Sequence, residues 1–181
     1  MNMIKYMKNN KNKKIIFTIN IVLVVLWMII VFILSNQNSS TSSNTSATTI
    51  KTIFKVFNIN NFQDNSEIVV ESLQNVVRKS AHFILYTVGG FLIYNLIYFL
   101  KENTTIYVNN KSIEWILNKY SAIIAILFGA IYAMSDEIHQ YFIPGRSCEV
   151  RDMFIDTAGV ILGVMCYVFI SKMKNNVKCN V

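Results

Sequence analysis

Four long apolar segments constrain this chain more than any other feature of its sequence. Residues 15–34 are apolar except for Thr18 and Asn20, and 20 residues is the helix length that crosses a bilayer core. This segment has no clear cleavage site, so we expect an uncleaved anchor. Together with the 53% hydrophobic content and the mean hydropathy of +0.39, the segments predict an all-α integral membrane protein with four transmembrane helices. The other three predicted helices cover residues 81–100, 120–138 and 153–170.

The same pattern divides the chain into five parts. Residues 1–14 are a basic tail, residues 15–34 are the first transmembrane helix, and residues 35–77 are a linker on the outer side. Residues 78–170 are a core with the other three transmembrane helices, and residues 171–181 are a second tail.

The linker begins with a segment rich in Ser, Thr and Asn and then becomes amphipathic. Its apolar residues recur at helical spacing, which predicts a short helix on the outer leaflet. Farther along, Asp64 and Glu67 resemble a capping box for a helix that continues into the second span. The apolar residues of the short amphipathic helix are Ile50, Ile53, Phe54 and Phe57.

The distribution of positive charge predicts the orientation. Both tails and the loop between the second and third spans lie on one side, with 11 cations and two acids, whereas the other side has six cations and seven acids. The positive-inside rule therefore predicts cytoplasmic termini and an outward-facing polar region. Because topology accounts for the net charge of +7, that charge does not indicate nucleic-acid binding. The three cysteines have no spacing typical of a disulfide framework or a zinc site.

Ionisable and amide side chains are concentrated at the outer ends of the last three spans. Charge is expensive at membrane depth, so such residues are usually paired, buried or functional. Residues four apart share one face of a helix, and this spacing recurs in all three spans. The candidate ligand-binding residues are Arg78, Lys79, His82, Tyr86, Asp136, Glu137, Gln140, Arg146, Asp152 and Asp156.

Two local motifs suggest how these side chains are arranged. The sequence Ile-Pro-Gly-Arg at 143–146 suits a type II turn, which would direct Arg146 back over the polar region. Gly159 and Gly163 form a GxxxG motif, which we interpret as close helix packing within the chain. Asp156 lies one turn inside an apolar helix, where an unpaired carboxylate costs about 2.5–3.5 kcal/mol, so it must be paired or protonated.

Two blocks of sequence carry a resemblance to a known family. RKSAHFILYTVGG at 78–90 and SDEIHQYFIPGRSCEVRDMFIDTAGVILG at 135–163 resemble the VanZ-like family of small bacterial membrane proteins, with a weaker similarity at 27–37. The founding members of that family are associated with low-level resistance to teicoplanin-type glycopeptides. The resemblance implies a role in the envelope of a Gram-positive bacterium and a location in the cytoplasmic membrane. It brings no established reaction chemistry.

The resemblance also bears on two positions. The block Arg-Lys-x-x-His at 78–82 belongs to the family signature, which favours a role for these residues in a site. The position of Asp156 is commonly Asn or Asp in the family, so the resemblance implies that hydrogen bonding matters there more than charge.

Three interpretations of the polar region remain open at this stage. In the first, Arg146 and Arg151 pair with carboxylates and clamp the third span to the fourth. In the second, Arg78, Lys79 and Arg146 hold an anionic headgroup or phosphate.

The third interpretation is a catalytic site. Its members would bind a divalent metal ion or divide acid and base roles between them. Oxygen ligands favour Mg²⁺ or Mn²⁺ over zinc, but no specific metal motif is present, so a divalent cation is only a candidate cofactor. The candidate catalytic residues are His82, Asp136, Glu137, His139, Asp152 and Asp156.

We therefore expect a VanZ-like membrane protein that lowers susceptibility to teicoplanin-type lipoglycopeptides. Its outward polar site would recognise an anionic lipid or cell-wall precursor, so its expected partners are the bilayer and such a molecule. The alternatives are an enzyme acting on a phosphorylated lipid or envelope polymer, and an accessory subunit of an envelope complex. The sequence leaves catalysis and the oligomeric state open.

Overall fold

The protein is a bundle of four long α-helices. The computed structural model describes residues 3–38, 44–45, 47–50, 52, 55, 66–103 and 110–179, and this part of the chain contains no β-strand. The helices, numbered in chain order, are α1 (Met3–Ser35), α2 (Ser66–Glu102), α3 (Lys111–Tyr141) and α4 (Val150–Cys179).

Each helix contains a segment long and apolar enough to cross a membrane, which confirms the predicted all-α, four-span fold. Every segment is longer than its predicted span because backbone hydrogen bonding continues past the last apolar residue. At the start of α3, for example, the Asn110 side chain accepts hydrogen bonds from Ser112 N and Ile113 N, well before Ser121, the first buried residue of that helix. The membrane-length segments are Lys11–Ser35, Leu73–Glu102, Lys111–Tyr141 and Val150–Lys174.

The linker is described only in part. Residues 47–50 are helical and Ile50 is buried, as expected for an amphipathic helix. The other apolar positions of that prediction, Ile53, Phe54 and Phe57, lie outside the described residues, as does Asp64 of the predicted cap. Helix α2 begins at Ser66 and runs without a break into the second span, as the apolar pattern predicted.

The closest helix packing in the bundle is between α2 and α4, and glycines make it close. A Cβ at Gly159 would lie 2.6 Å from the Phe83 carbonyl oxygen, and a Cβ at Gly163 would overlap the Thr87 carbonyl oxygen. A Cβ at Gly90 would lie 2.8 Å from Val160 Cα on the other side of the same interface. The GxxxG motif therefore serves packing within the chain, as predicted.

Helix α1 contacts the bundle through one narrow stripe, and its other faces are exposed apolar surface suited to lipid. Hydrogen bonds reinforce the stripe at several levels, because a polar group in an apolar setting must find a partner. Trp27 Nε1 donates to Leu85 O at 2.8 Å, and the Asn20 side-chain oxygen accepts from Asn95 Nδ2 at 3.1 Å. The buried stripe consists of Asn20, Val24, Trp27, Val31 and Ser35.

Candidate functional site

The predicted polar residues do come together, at the end of the bundle where α1 and α3 finish and α4 begins. They surround a space of about 250 Å³, which we call the polar cavity. Seven of the ten candidate ligand-binding residues line it, so the spacing of the polar residues predicted a real juxtaposition. The cavity is lined by Arg78, Lys79, His82, Glu137, Gln140, Asp152, Ile155 and Asp156.

A lysine, not an arginine, clamps α2 to the start of α4. Lys79 Nζ lies 2.9 Å from Glu149 Oε2 and 2.5 Å from Asp152 Oδ1. The hydrogen bond from Lys79 holds the pKa of Glu149 below its usual value. Arg146, which the clamp interpretation paired with a carboxylate, forms no ion pair among the described side chains. Arg151 is 74% exposed and reaches Glu149 only at 4.0 Å.

The connection between α3 and α4 is held over the cavity by its own backbone. Gly145 has φ of 76°, and Arg146 N donates to Ile143 O at 3.1 Å, which confirms the predicted turn. The buried carboxylate of Glu137 accepts a hydrogen bond from Glu149 N at 3.1 Å. The segment before α4 is thus fixed at both ends.

The turn directs Arg146 back over the end of α3, as predicted. Its Nη1 donates to Gln140 Oε1 at 2.9 Å, while its buried Nε has no partner in the described part of the chain. Burial, and secondarily the nearby positive charge of Arg78, lower the pKa of Arg146. Two guanidinium groups therefore lie near each other, and neither forms an ion pair within 4.0 Å among the described side chains, although the Asp136 and Glu137 carboxylates lie close enough to act on Arg146.

Beside the polar cavity lies a second, larger space of about 560 Å³, which we call the apolar groove. It runs between the end of α1, the two threonines Thr45 and Thr49, and α2. Arg78 and His82 line both spaces, and Arg146 lies at the groove as well. The groove is lined by Leu34, Gln37, Thr45, Thr49, Val77, Arg78, Ala81, His82, Leu85 and Arg146.

His82, Asp136 and Asp156 form a compact group, which we call the triad. Each comes from a different helix, and one ligand atom from each lies within 4.8 Å of the others. Asp136 Oδ2 also accepts hydrogen bonds from Ser35 Oγ at 2.9 Å and Gln140 Nε2 at 3.2 Å. Both carboxylates are almost completely buried.

Two of the predicted residues take other positions. Tyr86 is fully buried beside the triad, with its ring 6.4 Å from that of His82, and lines neither space. His139 points toward α1 instead, where its ring stacks on Phe32 with centroids 4.7 Å apart. It also lines neither space, so the structure does not bring this candidate catalytic residue together with the others.

Sequence reasoning missed Ser35 and Glu149 as parts of the site. Ser35 lies 101 residues from Asp136, and its only local signal is a small polar residue directly after an apolar span. Glu149 precedes α4 and has the spacing of an acid near the start of a helix, one turn before Asp152. That signal indicates a helix start but does not indicate the lysine partner on α2.

We expect Lys79→Met to lower the free energy of unfolding by about 1–3 kcal/mol, because Glu149 and Asp152 lose their partner in a half-buried setting. Thermal unfolding in detergent would measure the change. Lys79→Arg should recover part of the loss, and Arg151→Met should change stability by less than about 0.5 kcal/mol because that side chain is exposed. Equal losses in Lys79→Met and Arg151→Met would contradict the clamp.

Fold and site together define a class: a small four-span membrane protein with a charged cavity at one end of the bundle. The model of the VanZ/LLP1 family matches residues 20–171, which include all four membrane-length helices in whole or in large part. The chain therefore belongs to this VanZ-like family, as the two sequence blocks indicated. Searches of the curated proteins and of the solved structures gave no match.

Proposed function

We propose that this protein binds an anionic lipid, or a lipid-linked intermediate of the cell envelope, at the outer face of the bacterial cytoplasmic membrane. The headgroup would lie on Arg78 and Arg146, and an acyl chain would lie along the apolar groove. The observation that carries this proposal is the pair of guanidinium groups that lack ion-pair partners among the described side chains, at the head of an apolar groove.

The charges favour an anion at this place. Neither Arg78 nor Arg146 forms an ion pair within 4.0 Å among the described side chains, and two of the acids at this end of the bundle are already used. Glu149 and Asp152 are paired with Lys79. A phosphate group accepts hydrogen bonds from guanidinium in a planar, two-pronged geometry, so it would satisfy both arginines at once.

The lining of the apolar groove favours a lipid over a free anion as the ligand. Its walls include Leu34, Val77, Ala81 and Leu85, which are the apolar lining that ligand sites typically have. Arginines at one end and apolar walls along the rest match a molecule with a charged head and a hydrocarbon chain. Lys79 was a candidate for the same anion, but its charge is already neutralised, so we assign it to the clamp.

Lipid analysis of the purified protein tests this proposal. Wild type, Arg78→Ala, Arg146→Ala and Arg151→Ala would be purified in mild detergent, and the bound lipids identified by mass spectrometry. We expect anionic lipid to be enriched on wild type and on the Arg151→Ala control, whose arginine is exposed and outside the groove. Removing Arg78 or Arg146 should reduce it about 10-fold, as for the loss of one strong charge-assisted contact. Identical lipid profiles across the four proteins would refute the proposal.

The resistance associated with the founding members of the family supplies a physiological readout. A drug that carries a fatty acyl chain acts where the groove would open on an outward-facing site. We propose that expression in a sensitive host lowers susceptibility to teicoplanin more than to vancomycin, and that this effect needs the two groove arginines. The Arg151→Ala control, matched for membrane expression, should protect as wild type does.

A second candidate is an enzyme acting on a phosphorylated lipid or envelope polymer. The observation that favours it is the triad, which lies next to the headgroup position because His82 lines both spaces. Two carboxylates and an imidazole beside a phosphate are the groups that hydrolysis or transfer of a phosphoryl group uses. Release of phosphate from a lipid substrate, lost in Asp136→Asn but kept in Arg151→Ala, would favour this candidate.

A further inference from the structure

We infer that His82, Asp136 and Asp156 bind a divalent metal cation of the Mn²⁺ type. The three residues come from α2, α3 and α4, so one ion would join the three helices that form the core of the bundle. This inference goes beyond lipid recognition and does not depend on it, because the ion would lie beneath the arginines rather than on them.

The distances within the triad suit ligands of one ion better than direct hydrogen bonds. His82 Nδ1 lies 3.7 Å from Asp156 Oδ2 and 4.0 Å from Asp136 Oδ2. These separations exceed the usual hydrogen-bond length of about 2.7–3.2 Å. Two atoms that each lie about 2.1 Å from a shared ion are separated by about 3–4 Å, which is the spacing found here.

Asp156 supplies independent support, because it is a buried acid that accepts no hydrogen bond and whose ion-pair neighbour among the described side chains is the His82 imidazole at 3.7 Å. It is 1% exposed, and neither of its carboxylate oxygens has a hydrogen-bond partner in the described part of the chain. The Tyr86 hydroxyl, also fully buried and unpartnered there, lies on the same side of the bundle. Buried polar groups in folded proteins are almost always satisfied, and a cation bound between His82, Asp136 and Asp156 would satisfy the Asp156 carboxylate.

The surroundings of Asp136 resemble the outer shell of a metal site. Its Oδ2 accepts hydrogen bonds from Ser35 Oγ and Gln140 Nε2, which hold the carboxylate in a fixed orientation. Carboxylate ligands of metal ions are characteristically held in this way. Ser35 would therefore be a positioning residue that acts through Asp136 and touches no ion itself.

The ligand atoms of the triad indicate which cations would bind. Two carboxylates and one imidazole give a mixed oxygen and nitrogen site, which suits Mn²⁺ better than Ca²⁺, an ion that takes six to eight oxygen ligands. A doubly charged cation would also neutralise the two buried carboxylates. Zn²⁺ accepts the same donors, so it is the competitor that the experiment must include.

The test uses the full chain in detergent, stripped with a chelator and then titrated with MnCl₂. Calorimetry and the electron paramagnetic resonance signal of bound Mn²⁺ would measure affinity and stoichiometry, with ZnCl₂ and MgCl₂ in parallel. We expect one Mn²⁺ per chain in the wild type. Saturation at about 100 times the dissociation constant should raise the melting temperature by about 5–10 °C.

Variants test whether Mn²⁺ binds at the triad or at the nearby carboxylates in general. His82→Gln and Asp156→Ala should abolish Mn²⁺ binding, and Ser35→Ala should weaken it about 10-fold through Asp136. Glu149→Gln is the matched control, because it removes a nearby carboxylate outside the triad and should bind as wild type does. Circular dichroism and gel filtration would confirm folding, and His82→Gln serves if Asp156→Ala does not fold.

Two results would overturn the inference: no Mn²⁺ or Zn²⁺ bound by the wild type at millimolar concentration, or equal weakening in Glu149→Gln and His82→Gln. Preference for Zn²⁺ with the same variant pattern would support the site and change the ion. Arg146→Ala should keep Mn²⁺ while losing anionic lipid, so failure of this inference and failure of the lipid proposal give different results.

Discussion

Replacing Gly163 with valine is expected to force α2 away from α4 and to lower the free energy of unfolding by about 3 kcal/mol or more. A Cβ at this position would overlap the Thr87 carbonyl oxygen and would lie 2.7 Å from Phe91 N. Both atoms belong to the backbone of a regular helix, so no side chain can rotate to make room. The helices themselves would have to separate, and the triad spans the same interface.

Thermal unfolding of Gly163→Val in detergent would measure this loss, together with the yield of monodisperse protein. Ala158→Val is the control, because it adds a branched side chain to an exposed position of the same helix and should behave nearly as wild type. If Gly163→Val were as stable as Ala158→Val, the close approach of α2 and α4 would be contradicted.

The second large effect is expected at Trp27, which joins α1 to the rest of the bundle. Trp27→Ala should lower the free energy of unfolding by about 3–5 kcal/mol, the usual cost of removing a large aromatic side chain from a core. The indole is 4% exposed, lies over Gly89, and packs against the rings of Tyr86 and Tyr132 at 5.7 and 5.1 Å.

Trp27→Phe separates packing from hydrogen bonding, because it keeps most of the ring volume but loses the bond from Nε1 to Leu85 O. We expect it to cost about 1–2 kcal/mol. Leu26→Ala changes the neighbouring residue, which is 49% exposed, and should cost much less. Equal destabilisation by Leu26→Ala and Trp27→Ala would show that the contact face of α1 is assigned incorrectly.

The three cations of the site differ in whether they have carboxylate partners, and composition does not reveal this difference. Lys79 is used for structure, because two acids on the α4 side neutralise it. Arg78 and Arg146 face the apolar groove and have no such partner in the described chain. This difference supports the proposal that the arginines recognise lipid and that the lysine stabilises the fold, and the variants above test the two roles separately.

Much of the fold could be predicted because its signals are local. The length and hydropathy of each span are properties of consecutive residues, so the four helices were predictable to within a few turns. The turn at residues 143–146 needed only Pro and Gly in adjacent positions, and Gly145 has the positive φ that such a turn requires. The polar residues spaced four apart also had to share helix faces, which brought most of the site together.

The pairing of charges could not be predicted in the same way. The sequence suggested arginine–carboxylate pairs at Arg146, whereas the structure has Lys79 between Glu149 and Asp152. Which cation reaches which acid depends on how α2 is rotated against α4, and that rotation is set by glycine packing at Gly90, Gly159 and Gly163. The position of His139 depends on packing in the same way, because its ring stacks on Phe32 of α1.

The sequence by itself determined that this chain is a four-span membrane protein of the VanZ-like family with a concentration of charge at one end, because hydropathy, helical spacing and motif identity all reside in short stretches of residues. The tertiary structure alone decided that Ser35 holds Asp136 across 101 residues, that Asp156 lies near His82 rather than an arginine, and that two arginines lie at the groove without a carboxylate partner among the described residues. These contacts join different helices, so they exist only after packing has set the rotation and depth of each helix.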